Sequence, residues 1–456
     1  MLLDLSCLSY PLPPDVRRLY EAGDFGRMEL VIRRRLDDPC VPEALKARLR
    51  VQLEMAYEIP RAYPYTQAQM LDILQKNVSG FAEEELETLR DDGTLDWRYV
   101  NGEVRFKNNA LSALLKTRKE YAMRATDPAV MSGTKASAEQ LSAMIAKMKV
   151  NGGVRARFEL HEELTVRSDR LTEGETLRIH LPMPIVGAQV KRAELLSASH
   201  PVAFLAPEDE PQRTIYFELP YEPGMTVSAE IAYEIDAPYA QPHAREVYAE
   251  QPVFDTEELP PHVVFTPYLR ALAKEIVGDE TNALLKARKI YDFITTQAVY
   301  RFMPPYLTVP NIPEYFLSGL RGDCGVQAIT FVTLCRLCGV PAQWQSGLYT
   351  KPNSAGHHDW ARFYVAPFGW LFADCSFGGS AYRAGDLERW NFYFGNLEPW
   401  RMPTCSAFQQ EFNPPRRFLR HDPYDNQSGE VESLTRRLYA DEYEDDCRVV
   451  RYEEME

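Results

Sequence analysis

Three residues of this chain, in the order Cys324, His358 and Asp374, are of types that together perform nucleophilic chemistry. A thiol is a weak nucleophile until a base takes its proton, and an imidazole serves as that base when a carboxylate fixes its ring. Cys324 follows Gly322-Asp323 and opens a run in which Val326, Ile329, Val332 and Thr333 share one helical face. Asp323 reads as the N-cap, and Gly339 with Pro341 just beyond closes the helix. Cys324 is therefore expected in the first helical turn. There, free amides and the positive end of the helix dipole should bring its pKa below that of a free thiol, although the charge of Asp323 opposes this.

The base and its anchor need a rigid carrier. Residues 358–365 read as a strand with His358, Trp360, Arg362 and Tyr364 on one face. Ala366-Pro367-Phe368-Gly369 reads as a turn, and Trp370 to Asp374 returns as a second strand. The hairpin brings His358 and Asp374 to the same end. His357 is expected on the opposite face, which also weakens a metal reading of His357-His358-Asp359.

Over roughly residues 285–380 the chain resembles the transglutaminase-like superfamily of papain-type thiol enzymes. The resemblance lies in Gly322-Asp323-Cys324, in Leu337-Cys338-Gly339-Val340-Pro341-Ala342, in His358-x-Trp360, and in Gly369-Trp370 leading to Asp374. It implies a papain-like α+β domain with Cys324 as nucleophile, His358 as base and Asp374 as the residue that orients the base. Two positions depart from the family pattern: Gln343 stands where Arg is usual and Cys375 where Pro is usual. Both leave the triad chemistry intact and leave the substrate open.

Acyl chemistry also needs donors for an oxyanion. The backbone N–H of Cys324 is the first, with Tyr300 and Gln327 as side-chain candidates. Trp344, Tyr349 and Trp360 are candidate walls of the cleft, and Thr350 to Gly356, with Pro352, Asn353 and Ser354, a candidate rim. Cys335, Cys338 and Cys375 read as small buried hydrophobes. Cys335-x-x-Cys338 lacks the second pair a zinc site needs, so neither a metal nor an organic cofactor is expected.

Composition narrows the function classes. The chain has 456 residues, enough for two or three cores, and its 45% hydrophobic and 26% charged content is that of a globular protein. A net charge of −15 argues against nucleic acid or an anionic membrane as partner. No run approaches the ~20 apolar residues that span a bilayer. The first ten residues have no basic region and carry Asp4, unlike a signal peptide, and eight scattered cysteines suit a reducing cytoplasm.

The expected architecture is multidomain α+β. Residues 1–150 read as mainly helical, with Leu45, Leu49 and Leu53 at four-residue spacing and a small hairpin around Asn101-Gly102. A winged-helix reader of DNA would fit that order, but the acidity speaks against it. Residues 151–240 switch to period two, as in Val154, Ala156, Phe158 and Leu160 or Val227, Ala229, Ile231 and Tyr233, and read as a β-sandwich. Residues 255–425 hold the transglutaminase-like domain. Residues 426–456 form an acidic end, read as a solvated edge strand or tail.

The expected function is thiol-dependent hydrolysis or transfer at an amide of a peptide or protein, through an acyl-enzyme on Cys324. A cross-linking transglutaminase shares the same acylation half, and water is the favoured acceptor. The rival is a protein- or glycan-binding scaffold whose triad is idle.

Overall fold

The structure, a computed structural model, describes residues 5–352 and 354–455, with residues 130–136 described by their backbone alone. Asp4 and Asn353 lie outside the described residues.

The N-terminal part is built on helices such as Glu43–Ala62 and Gln67–Asn77. In the first of these, Leu49, Gln52, Met55, Ala56 and Ile59 are buried, with Leu45 and Leu53 at the margin of that stripe. Strands Trp97–Val100 and Glu103–Phe106 pair across Asn101 and Gly102, whose φ angles of 50° and 88° suit a two-residue hairpin turn. Helix α1 (Ala129–Asn151) then ends on Gly152, in the left-handed conformation at φ 77°.

Six strands follow: β1 (Gly153–Val166), β2 (Thr176–Pro182), β3 (Val190–Ala198), β4 (Phe204–Leu205), β5 (Thr214–Pro220) and β6 (Thr226–Pro238). Helices α2 (Pro267–Val277), α3 (Ala283–Gln297) and α4 (Cys324–Leu337) lead into β7 (Ala342–Tyr349), β8 (His357–Val365) and β9 (Gly369–Ala373). After α5 (Cys375–Arg383) come β10 (Phe394–Gly395), β11 (Arg401–Cys405), β12 (Glu430–Ser433) and β13 (Tyr443–Met455).

These strands form a mixed α+β fold with three larger antiparallel sheets. Two are four-stranded, in the orders β13-β1-β6-β3 and β12-β2-β5-β4; the third is five-stranded, β10-β9-β8-β7-β11. The chain end thus returns to the strands that open at Gly153: Tyr443 lies opposite Val166 and Met455 opposite Arg155, along an edge where Glu444, Asp445 and Asp446 face solvent.

Helix α4 is apolar all round because it is enclosed all round: every residue from Gly325 to Arg336 is buried. Phe331 on α4 meets Phe363 on β8 edge-on, with ring centroids 5.6 Å apart. A Cβ added at Gly325 would lie 2.9 Å from Asp359 Oδ2. The face of β8 that carries Asp359, Ala361 and Phe363 therefore looks at α4, and the face that carries His358, Trp360 and Arg362 looks away.

Helix α5 follows directly from Asp374 and packs on α3 through a glycine: a Cβ at Gly378 would stand 1.9 Å from the Tyr291 hydroxyl. Tyr291 is fully buried and its hydroxyl donates to Trp390 O at 2.7 Å, so it has nowhere to retreat. Gly378→Ala is expected to lower unfolding stability by about 1–3 kcal/mol, the usual cost of overpacking, measured by urea denaturation. An unchanged midpoint would show that α5 and α3 separate freely.

Candidate active site

Asp323 caps α4 by accepting the Val326 amide at 3.1 Å, and its Oδ1 also accepts the Tyr306 hydroxyl at 2.5 Å. Cys324 stands at the helix start, half-buried, in a cleft of about 810 Å³. Three parts of the chain wall this cleft: Lys107 and Lys116 from the N-terminal region, Tyr300 and Asp359 around the thiol, and Asp422 and Asp425 from the segment before β12. No helix among the described residues is long and apolar enough to cross a membrane, and among them no group of three or more His, Cys, Asp or Glu is placed to hold a metal.

Two side-chain constellations lie at the start of β8, one on each face. On the cleft face, Cys324 Sγ donates to Asp359 Oδ2 at 3.1 Å, and Asp359 Oδ1 accepts Gln427 Nε2 at 2.9 Å. His357 shares this face and lines the cleft. On the other face, His358 Nε2 pairs with Asp374 Oδ2 at 2.7 Å. Arg401 Nη1 lies 2.9 Å from the same oxygen, and Arg401 Nε donates to Glu398 Oε1 at 2.8 Å. Arg401, Asp374 and Glu398 are wholly enclosed.

The electrostatics of the two faces differ. Burial pushes the Cys324 thiol up, and the negative charges of Asp359 and Asp323 push it further. This reverses the sequence expectation of a thiol activated by its helix: enclosure and two neighbouring carboxylates outweigh the helix N-terminus. Burial also raises the Asp359 carboxyl, and Asp323's charge adds to that. On the far face, burial raises the Asp374 carboxyl, but the charges of His358 and Arg401 outweigh it and hold the group below its usual range. Burial depresses the His358 imidazole, opposed by Asp374 and assisted by Arg401, which leaves the ring neutral near pH 7.

The structure thus brings His358 and Asp374 together, while the hydrogen-bonding partner of the Cys324 thiol is Asp359. The Tyr300 hydroxyl lies within bonding reach of the thiol, and Lys116 Nζ stands 3.3 Å from that hydroxyl. Gln327 is placed elsewhere: its amide is buried and donates to Gly322 O at 2.9 Å. The three expected wall residues are also redirected into the core, and none lines the cleft. Trp344 packs edge-on against Phe408, with centroids 5.4 Å apart. Trp360 donates to Gln345 Oε1 at 2.9 Å. Tyr349 lies beneath Arg401 at 5.1 Å. Of the expected rim, Gly356 lines the cleft, whereas Thr350 is buried against the Tyr233 hydroxyl at 2.6 Å. Asp359, Gln427 and Arg401 were not foreseen. Asp359 is the middle residue of His358-x-Trp360 and was open to view; Arg401 lies in a stretch without periodicity and gave no signal.

The family model of the transglutaminase-like superfamily matches residues 270–375, which span α4, the hairpin and Asp374. This segment is a transglutaminase-like domain. Among solved structures, a candidate cysteine protease from Cytophaga hutchinsonii is similar at 14% identity and a TM-score of 0.42, covering 65% of this chain and 91% of that one. The periplasmic domain of TgpA from Pseudomonas aeruginosa is similar at 15% identity and a TM-score of 0.27, covering 54% of this chain and 96% of that one. A candidate protease from Parabacteroides distasonis is similar at 12% identity and a TM-score of 0.22, covering 46% of this chain and 42% of that one. No curated protein matches the chain.

Two consequences of this site can be measured. Arg401→Leu leaves Asp374 and Glu398 buried without their cation, so unfolding stability is expected to fall by about 3–5 kcal/mol in urea titration. A loss under about 1 kcal/mol would mean that water reaches these carboxylates. Asp359→Asn removes the carboxylate whose charge, after burial, does most to push the Cys324 thiol up. The pH midpoint of Cys324 alkylation by iodoacetamide is expected to fall by about one unit, with roughly tenfold faster labelling at a given pH below the midpoint. An unmoved midpoint would show that burial alone controls the thiol.

Proposed function

We propose that the chain is a thiol-dependent enzyme acting at an amide of a peptide or protein, with Cys324 as nucleophile, His358 as base and Asp374 as the group that orients the base. The observation that carries this reading is a thiol at a helix start, opening on a cleft of about 810 Å³ and bonded to Asp359, whose neighbour on the same strand is an imidazole held by a carboxylate at 2.7 Å. His358 uses Nε2 for Asp374, so Nδ1 is the ring nitrogen left for proton transfer.

In the reaction, Cys324 Sγ leaves its hydrogen bond to Asp359, passes its proton to His358 Nδ1, which makes the ring an imidazolium, and attacks the carbonyl carbon. The oxyanion is met by the Cys324 backbone N–H and the Tyr300 hydroxyl. The imidazolium protonates the departing nitrogen, which leaves a thioester on Cys324. Water or an amine then opens the thioester, giving hydrolysis in the first case and transfer in the second. Hydrolysis is the preferred outcome, with a cross-linking transglutaminase as the other branch of the same intermediate. All eight cysteines are free thiols, which suits a reducing compartment such as the cytoplasm.

A second reading has its own observation. The thiol is bonded to a carboxyl group and kept protonated by burial and acidic neighbours, while the imidazole lies on the other face of β8. That is the arrangement of an idle triad in a binding scaffold. The two readings part on turnover of a library of fluorogenic peptide amides. An enzyme loses about 10⁴-fold or more in kcat on Cys324→Ala or His358→Ala, with and without an added primary amine. Turnover untouched by Cys324→Ala, or none at all together with Cys324 labelling no faster than the exposed Cys40, would leave the scaffold.

A further inference from the structure

Several enclosed carboxylates of this protein meet arginines, although Glu162, far from the cleft, is enclosed with none among the described residues. Glu430 and Glu432 are enclosed and meet Arg416, Arg420 and Arg178. Asp374 and Glu398 share Arg401. Asp425 also has none. It is only 8% exposed and lines the cleft over Cys324, yet among the described residues its carboxyl group forms neither a hydrogen bond nor an ion pair. His421, in the same wall, has a buried Nδ1 with no partner. Asp422 between them accepts only the amide of Tyr424, at 3.0 Å. Asp422 and Asp425 thus line the cleft with carboxyl groups that no lysine or arginine pairs with among the described residues, and such a wall is complementary to a positive charge that enters it.

The arginine and the two lysines that line the cleft are already engaged. Arg61 lies 3.3 Å from Asp441 and 4.1 Å from the Tyr439 ring centre. Lys107 donates to Met303 O, and Lys116 stands over the Tyr300 ring at 4.3 Å.

Resting on the thiol-enzyme reading, we propose that this cleft selects substrates bearing a positive charge: a primary ammonium or guanidinium seated between Asp422 and Asp425. The charged group is a recognition handle and not the reacting nitrogen. An ammonium held by two carboxylates stays protonated and has no lone pair for attack on a thioester, so it belongs to a basic side chain or free amino group on the acyl donor. Burial and the mutual repulsion of Asp425, Asp422 and Asp359 push the Asp425 carboxyl up, and an entering cation reverses that repulsion.

The test uses the full-length Cys324→Ala protein, titrated by NMR at low salt with Nα-acetyl-lysine methylamide and with its Nε-acetylated, uncharged counterpart. The charged compound is expected to bind about tenfold or more tighter, the value of one charge-assisted hydrogen bond. Asp425→Asn and Asp422→Asn, made separately, should each shrink that preference. About 0.5 M salt should weaken it in the parent protein, which gives a readout if an Asn variant folds poorly. Equal binding of the two compounds, no binding by either, or a preference that survives both Asn substitutions overturns the proposal. Peptide turnover by the protein with Cys324 intact is scored separately. Turnover without charge preference sinks only the cation site, and charge preference without turnover sinks only the enzyme.

Discussion

The strand alternation of β8 is the constraint on which the rest of the site depends. Successive residues of a strand project to opposite faces, so His358 and Asp359 start from opposite sides of the sheet. The face toward α4 receives Asp359 and the cleft; the other receives His358 and the enclosed chain of Asp374, Arg401 and Glu398. Helix α4 is held on its side by Phe331 against Phe363 and by a glycine at 325 that lets Asp359 approach. Every chemical property of Cys324 follows from which of the two faces it meets.

Burial then acts in opposite senses on the two sides. Beneath the hairpin it is compensated: Asp374 has a histidine and an arginine, so its negative charge survives enclosure and fixes the imidazole. In the cleft it is not compensated, and burial together with the neighbouring acidic charges pushes both the Cys324 thiol and the Asp359 carboxyl up. A nucleophile stored as a neutral thiol is protected from oxidation and adventitious alkylation. Its activation must then come with whatever displaces the Asp359 contact. Charge entering an acidic cleft is one physical means of doing so, since a cation lowers the cost of every nearby negative group.

The cleft is composite. Its walls come from a helical region more than 200 residues before Cys324, from the helix and hairpin themselves, and from a segment about 100 residues after it. The last of these is anchored by Gln427, which donates both to His358 O and to Asp359 Oδ1, at 3.0 and 2.9 Å. It runs on into β12 and β13, which add to the two four-stranded sheets. The flanking parts are therefore structural elements of the site, which gives the chain a reason to carry them.

What the sequence determined by itself was local. The Asn101-Gly102 turn, the Asp323 cap, the start of α4 at Cys324 and the hairpin that joins His358 to Asp374 all arise from short-range propensity, capping and period-two patterning. These signals lie within a few residues of the structure they specify. Only the tertiary structure decided which face of the hairpin meets the helix, that Trp344, Tyr349 and Trp360 are core and not walls, and that Gln327 is spent on Gly322. It alone brought Arg401 to Asp374 and two acidic residues near 425 to the thiol, because contacts between segments tens to hundreds of residues apart leave no periodic trace in a single sequence. The thiol's protonation belongs with them: the types Asp, Cys and His are written in the chain, but a pKa is set by desolvation and neighbouring charge, which exist only once the chain has closed around them.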